Sequence, residues 1–388
     1  MKTVIRILFG IALISLIVTP GVLAKEIKVG VEMPLTGKLA RVGNAELEGI
    51  KVAAEMFGTA HPDLKIKLVV LDNESQPAKA IAAVEKLASE DVIAITGGYG
   101  SNIIGPASEA ANKAGVLYIT SGGVAANLSQ RGHKTFFRIN NTAGYSKAMA
   151  GIIMDMAAKS VSIIYSTKQA TSDLAKDVQK VLAAKGVKVK MHSYDPAITD
   201  FKPVVNKIKL MDKPDVVGMV GYENDYVGII RAAKVLKPKV KAMVGVWSLA
   251  TPKMWNEFPD LMPNVYGTAL LPFPTDFKTP EGKEFSDTYK KLHNKEPDYL
   301  GQFGYVQTRL LLEAIARAEK KGKLNRTDLA EELRKTDRDT LVGRVQFDEK
   351  GDNNNFTHRM GQHQNGKIVI VWPKDGATGK MNFPAVPW

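Results

Sequence analysis

The sequence predicts an α/β protein built of two similar, doubly wound lobes with mostly parallel sheets. Three observations carry that prediction. The chain has 388 residues, too many for one typical domain and ordinary for two. Short apolar runs of strand length alternate with stretches at helical spacing over most of the chain. The alternation occurs twice with the same layout, the two series starting about 130 residues apart.

The first residues do not belong to either series. Lys2 and Arg6 give a positive start, and Ile7 to Val18 is an apolar run too short to span a bilayer. Thr19-Pro20-Gly21 breaks the run, and Val22-Leu23-Ala24 carries small residues suited to cleavage. The expectation is a secretory signal peptide over 1–24, cleaved after Ala24, and hence an exported protein. The chain has no cysteine, which excludes disulfides, a thiolate nucleophile, cysteine-ligated zinc and a lipidated cysteine.

Net charge is +13, or +11 once Lys2 and Arg6 are removed with the signal peptide. The lysines are spread among acids, with no basic block or helix-turn-helix pattern, so a nucleic-acid partner is not expected. An evenly solvated basic surface is the simpler reading.

In order, Ile27 to Met33 reads as a strand, Asn44 to Phe57 as a helix and Leu64 to Leu71 as a strand. Pro77 to Ser89 is a helix with proline in its first turn. Strands at Asp91 to Ile95 and Val116 to Thr120 flank a helix starting at Ser101, and Thr135 to Asn140 adds another strand. After a helix over Tyr145 to Lys159, the second series begins at Val161. Its strands are Val161 to Tyr165, Val187 to Ser193, Asp215 to Val220, Lys241 to Trp247 and Val265 to Leu271. Its helices are Ser172 to Lys185, Phe201 to Met211 and Asn224 to Leu236. Helices then follow at Glu281 to His293, Gly301 to Lys320 and Asp328 to Lys335. The tail reads as short antiparallel strands at Val345 to Phe347, Phe356 to Gly361 and Ile368 to Trp372. No flexible linker separates the halves.

Two loops stand out: Gly97-Gly98-Tyr99-Gly100-Ser101-Asn102 and Ser121-Gly122-Gly123. Each follows a buried strand and precedes a helix-like stretch. Small residues there let a ligand approach the backbone, and Ser101 at a helix start can act as its cap. Free N–H groups and the helix dipole favour a carboxylate or other oxyanion. Ordinary tight turns of an α/β sheet are the plain alternative.

The ordered set of motifs resembles the periplasmic solute-binding proteins of ABC transporters, type I, in the branched-chain amino-acid binding family. The resemblance rests on Ile27-Lys28-Val29-Gly30 with Leu35-Thr36-Gly37, Leu71-Asp72-Asn73, and Ser101 with Pro106-Ala107-Ser108. It continues through Leu128-Ser129-Gln130-Arg131-Gly132, Phe347 to Asp352, and the ending Val371-Trp372-Pro373 through Trp388. It implies two lobes joined by three crossovers: 25–142 with 267–345, and 143–266 with 346–388. It implies a protein that closes on a solute and hands it to permease subunits in the inner membrane. It also implies no catalysis and no cofactor, and a monomer is expected. A sensor presenting the closed form to a membrane receptor or kinase is the alternative.

By the same resemblance, Ser101 and the N–H groups of Gly122 and Gly123 receive a solute carboxylate. Tyr222 and Tyr305 match pocket tyrosines, Val42 lines the first-loop side, and Tyr99 is a further lining candidate. The departures are informative. Trp247 stands where amino-acid binders carry a glutamate for the α-ammonium, and Val124 where they carry a threonine. The loop Ser166-Thr167-Lys168-Gln169-Ala170 replaces a pocket tyrosine. A buried ion without its partner costs roughly 3–5 kcal/mol, so the expectation leans toward a carboxylate without an ammonium group. Asp225, Glu223 or Asp173 are the acids that would restore the missing partner.

Other chemistries are weak. Arg41 and Lys38 after the first loop read as solvated cations before anion ligands. His358 and His363 lack further ligands for zinc and read as surface positions. Neither Ser101 nor Ser121 sits in a Gly-x-Ser-x-Gly elbow, Asp72 with Glu74 reads as a capping pair, and Gly97 to Gly100 is not a dinucleotide loop.

Overall fold

The computed structural model describes residues 25–275 and 277–388; the expected signal peptide lies outside them. The first sheet takes β1 (Lys25–Met33), β2 (Leu64–Asp72), β3 (Ala94–Gly97), β4 (Leu117–Thr120) and β5 (Phe136–Arg138). Their order is β2-β1-β3-β4-β5, and every pair is parallel. β3 and β4 are buried at every residue, as parallel strands covered on both faces must be. Helices α1 (Ala40–Ala60), α2 (Pro77–Ser89) and α3 (Ser101–Lys113) connect them.

The second series starts with α4 (Thr142–Asp155) and supplies five parallel strands. These are β6 (Ser160–Ser166), β7 (Lys188–Tyr194), β8 (Val216–Val220), β9 (Ala242–Gly245) and β10 (Tyr266–Ala269). Between them run α5 (Gln169–Ala184), α6 (Lys202–Lys207), α7 (Glu223–Leu236) and the short α8 (Pro252–Glu257). The expected helix to Met211 ends as α6 plus a π-turn over Ile208–Asp212.

The chain then returns to the first lobe with α9 (Pro280–His293), α10 (Tyr299–Lys320), α11 (Arg326–Arg334) and a hairpin of β11 (Asp337–Thr340) and β12 (Gly343–Gln346). It finishes with β13 (Arg359–Gln364) and β14 (Lys367–Trp372), which extend the second sheet as β14-β13-β10-β9-β8-β6-β7. Three crossovers therefore join two α/β lobes, as expected.

The sheets place the second and third crossovers later than the expected boundaries. Tyr266–Ala269 pairs with β13, so the second sheet runs past residue 266. Residues after 345 stay on the first lobe for longer. Arg138 N–H donates to Gly351 O, and the Arg138 guanidinium pairs with Asp352 at 2.6 Å. Phe347 packs edge-on against Phe137.

One helix contact positions the cleft. α1 and α10 meet backbone to backbone: a Cβ on Gly304 would lie 2.1 Å from Glu46 O, and one on Gly49 1.9 Å from Gly301 O. Only glycine allows that approach. Asp298 caps α10 by accepting from Leu300 N and Gly301 N, fixing where its first turn points.

Candidate functional site

The carboxyl ends of β3, β4, β8 and β9 face one small cavity between the lobes. The first lobe contributes Glu46 from α1, Tyr99, Gly100 and Ser101 before and at α3, and Ser121, Gly122 and Val124 after β4. Tyr299, Leu300 and Phe303 reach it from the first turns of α10. The second lobe contributes Tyr145, Ala170, Tyr222 and Trp247, and Asn140 lies at the first crossover.

Six expected residues thus meet there: Tyr99, Ser101, Gly122, Val124, Tyr222 and Trp247. Their roles differ in detail from expectation. Gly100 is the cap of α3, with φ 90°, and Ser101 is the first helical residue. Ser101 Oγ accepts from Ala125 N at 3.0 Å, which leaves its hydroxyl hydrogen free to donate to a solute. Gly122 N–H already donates to Thr120 Oγ1 at 3.0 Å, so it is not the expected carboxylate donor. Gly122 serves by closeness instead: a Cβ there would lie 2.3 Å from Gly98 O.

Gly123, Val42 and Tyr305 do not line the cavity. Gly123 faces Ile104 and Leu128, and its carbonyl accepts from Arg138 Nη1 at 3.2 Å. Val42 is packed into the first-lobe core one helical turn before Glu46. Tyr305 fails on helical phase. Tyr299 and Phe303 are four apart and share a face, whereas Tyr305 follows Phe303 by two and points away. Its hydroxyl lies 3.1 Å from Glu281 Oε1 and its ring packs on Phe285.

The second-lobe wall is a run of rings. Trp247 stacks on Tyr222 at 5.8 Å and meets Tyr145 edge-on at 5.8 Å. Lys168, in the loop that replaces a pocket tyrosine, holds its ammonium 4.7 Å from the Tyr222 centroid, outside the cavity lining. Two buried polar atoms on the lining lack a partner: Trp247 Nε1, a donor, and Asn140 Oδ1, an acceptor. Asn140 Nδ2 donates to Tyr145 Oη at 3.1 Å, which fixes the amide. An unmet buried polar atom costs roughly 1–3 kcal/mol, so these atoms are poised for polar groups of a solute.

None of the three acids expected to replace the missing glutamate lines the cavity. Asp225 accepts from Tyr222 N at 2.9 Å and caps α7. Glu223 pairs with Arg41 at 3.5 Å, and Asp173 accepts from Gln169 on α5. Desolvation pushes Glu223 up to about 7, with Arg41 pulling the other way. The acid in the cavity is Glu46, which sequence reasoning missed. It is 1% exposed, accepts from Ser121 Oγ at 3.1 Å, and burial raises its pKa well above the usual range.

The lobes touch across the cleft. Arg41 on α1 pairs with Glu223 and, at 2.7 Å, with Glu257, donates to Asn224, and lies over the Phe258 ring. Ser248 N donates to Tyr299 Oη from the opposite lobe. Arg41 is thus an interlobe latch, not a solvated cation. His358 and His363 are buried, not superficial: His358 Nδ1 donates to Ala269 O at 2.9 Å and His363 Nε2 to Leu249 O at 2.8 Å. Burial lowers both to about 4. Asp72 organises the first loop by accepting from Leu35 N and Thr36 Oγ1.

The family model described as "Periplasmic binding protein" matches residues 26–366. Among curated proteins, the chain is 26% identical over 358 residues to a leucine-, isoleucine-, valine-, threonine- and alanine-binding protein of Pseudomonas aeruginosa, covering 91% of each. Among solved structures it resembles the leucine-binding protein LivK of Thermotoga maritima, with TM-score 0.80, 23% identity, and 89% and 97% of the two chains covered. It also resembles a solute-binding protein of an ABC transporter from R. palustris in complex with benzoate, with TM-score 0.79, 17% identity, and 92% and 97% covered. At these identities the structural likenesses speak for the fold. The chain therefore belongs to the periplasmic binding protein family, as a solute-binding protein and not an enzyme.

Proposed function

We propose that the protein binds a small carboxylate-bearing solute with an apolar or aromatic body and delivers it to an ABC-type permease. The observation that carries this reading is the pairing of Ser101, at the start of α3, with a cavity walled by Tyr99, Tyr145, Tyr222, Trp247, Tyr299 and Phe303. A helix start and a free hydroxyl suit a carboxylate; ring faces suit an apolar body. Amino acids and benzoate both appear among the names of similar proteins.

In this reading residues 1–24 direct export, cleavage follows Ala24, and the mature protein works in the periplasm as a monomer. The open form admits solute, hinge motion at the three crossovers closes the lobes, and the permease at the inner membrane receives the closed form. The test is a thermal-shift screen of protein unfolded and refolded to strip bound solute. The panel holds leucine, phenylalanine, benzoate, short aliphatic acids and neutral amides. A ligand at about a thousand times its Kd adds roughly 4 kcal/mol, so a true solute raises Tm by several degrees. Ser101→Ala is expected to weaken carboxylate solutes by roughly 1–3 kcal/mol on calorimetry. Unchanged affinity for every carboxylate would remove Ser101 from the site.

A further inference from the structure

We propose that Glu46 is the ammonium-accepting residue of this site, so that the first lobe alone reads both charges of a zwitterionic amino acid. The inference rests on the carboxylate reading of Ser101 and deepens it.

Three observations converge. Glu46 is the one ionisable acid on the cavity lining, and among the described residues no lysine, arginine or histidine pairs with it. Its carboxylate is anchored on one side: Oε2 meets Ser121 Oγ at 3.1 Å, leaving Oε1 for a solute. It lies beside the carboxylate position. Gly100 N–H donates to Gly122 O at 3.1 Å, so the loop holding Ser101 and the loop holding Ser121 are joined. The ammonium and carboxylate of an α-amino acid sit on one carbon, so their receptors must be neighbours.

A second buried acid in the same lobe supplies the control. Glu32 is also fully buried, but Tyr118 Oη at 2.6 Å and Asn73 Nδ2 both donate to it. Its needs are met by the protein. Glu46 has one hydroxyl and an open side. A carboxylate desolvated when the lobes close must take up a proton or meet a cation, and burial does raise the Glu46 pKa. An ammonium group removes that penalty. On this account Trp247 does not mark the loss of the ammonium site. The acid has moved from the second lobe to α1, and the second lobe has become an aromatic lid.

The test titrates stripped protein with phenylalanine and leucine and with their counterparts lacking the amino group, 3-phenylpropionate and 4-methylpentanoate. Wild type is expected to prefer the amino acids by at least about 100-fold, the factor that 3 kcal/mol of unpaired buried charge implies. Glu46→Gln is expected to remove that preference, weakening the amino acids and strengthening the deamino acids, which no longer leave a buried carboxylate unpaired. A wild-type protein that prefers the deamino acids overturns the proposal without any variant. So does a Glu46→Gln protein that keeps its amino-acid preference. If Ser101→Ala still weakens all four carboxylates in either case, the carboxylate reading stands and only the assignment of Glu46 falls.

Discussion

The two walls of the cleft are built from different chemistry. The first-lobe wall carries rings too, Tyr99, Tyr299 and Phe303, but adds Glu46, Ser101 and Ser121, at or beside the ends of β3 and β4 or on α1. The second-lobe wall carries Tyr145, Ala170, Tyr222 and Trp247, with no charged side chain on the lining. The division continues below the surface. The first lobe buries carboxyls, Glu32 and Glu46, whose pKa values burial raises. The second sheet and its border bury imidazoles, His363 and His358, whose values burial lowers to about 4. In the proposed function, one wall selects by charge and hydrogen bonding and the other closes over the solute.

Acid sharpens this contrast most strongly. A buried neutral histidine with folded pKa about 4 contributes stability above the unfolded value near 6.5, and loses it as pH falls toward 4. By pH 5 each histidine costs roughly 2 kcal/mol. The raised carboxyls act with the opposite sign: they take up protons in the native state first, so acidification from neutrality favours the first lobe through Glu32 and Glu46 and offsets part of the histidine loss in the second through Glu223. Hydrogen exchange at pH 5 is therefore expected to show β10 and β13 losing protection before β1, β3 and β4. Equal loss in both sheets would erase the asymmetry.

Trp247→Ala is the next largest effect. Removing a ring that stacks on Tyr222 and meets Tyr145 edge-on is expected to cost about 3 kcal/mol of stability. It is also expected to weaken every solute by a similar factor, without changing the order of preference by charge. A changed preference between amino acids and deamino acids would show that the lid also reads charge. The smallest effect concerns the latch. Arg41 is partly exposed, so Arg41→Ala is expected to cost about 1 kcal/mol of closure, or roughly fivefold in Kd. The loss should appear as faster solute release at stopped flow. A change confined to association would place Arg41 at entry instead.

The strand-end part of this site is legible in the sequence, because an apolar run followed by small residues announces where a parallel strand meets its loop. Ser101 and Gly122 are found that way, whereas Val124, Tyr222 and Trp247 come from the family resemblance. The helical part is not. Glu46 sits among alternating polar and apolar residues of α1, where an acid reads as a solvated face; only the packing of α10 onto that face buries it. Tyr299 and Phe303 read as ordinary helix-core residues, and Tyr305, taken from the family resemblance, fails because it lies two residues past Phe303 and so on another face of α10. β11 and α8 are missed for a simpler reason: Asp337–Thr340 is wholly polar or charged, and Pro252–Glu257 is less than two turns long. The histidines mislead because a polar strand on a sheet border looks superficial until β14 and the segment through Asn382 cover it.

That covering has a consequence for how the molecule comes into being. β10 presents an open hydrogen-bonding edge until β13 arrives, after the whole of α9, α10, α11 and the hairpin has been made. Ala385 N and Lys241 O, and Tyr266 Oη and Asn382 O, join only later still. A chain emerging from its amino end through a narrow pore can assemble the strands of its first sheet early, but its second stays a partial template until the final segment is free. Such an edge can also capture a neighbouring chain, so the interval between release of Ala269 and release of Arg359 is when two nascent copies are most apt to exchange strands.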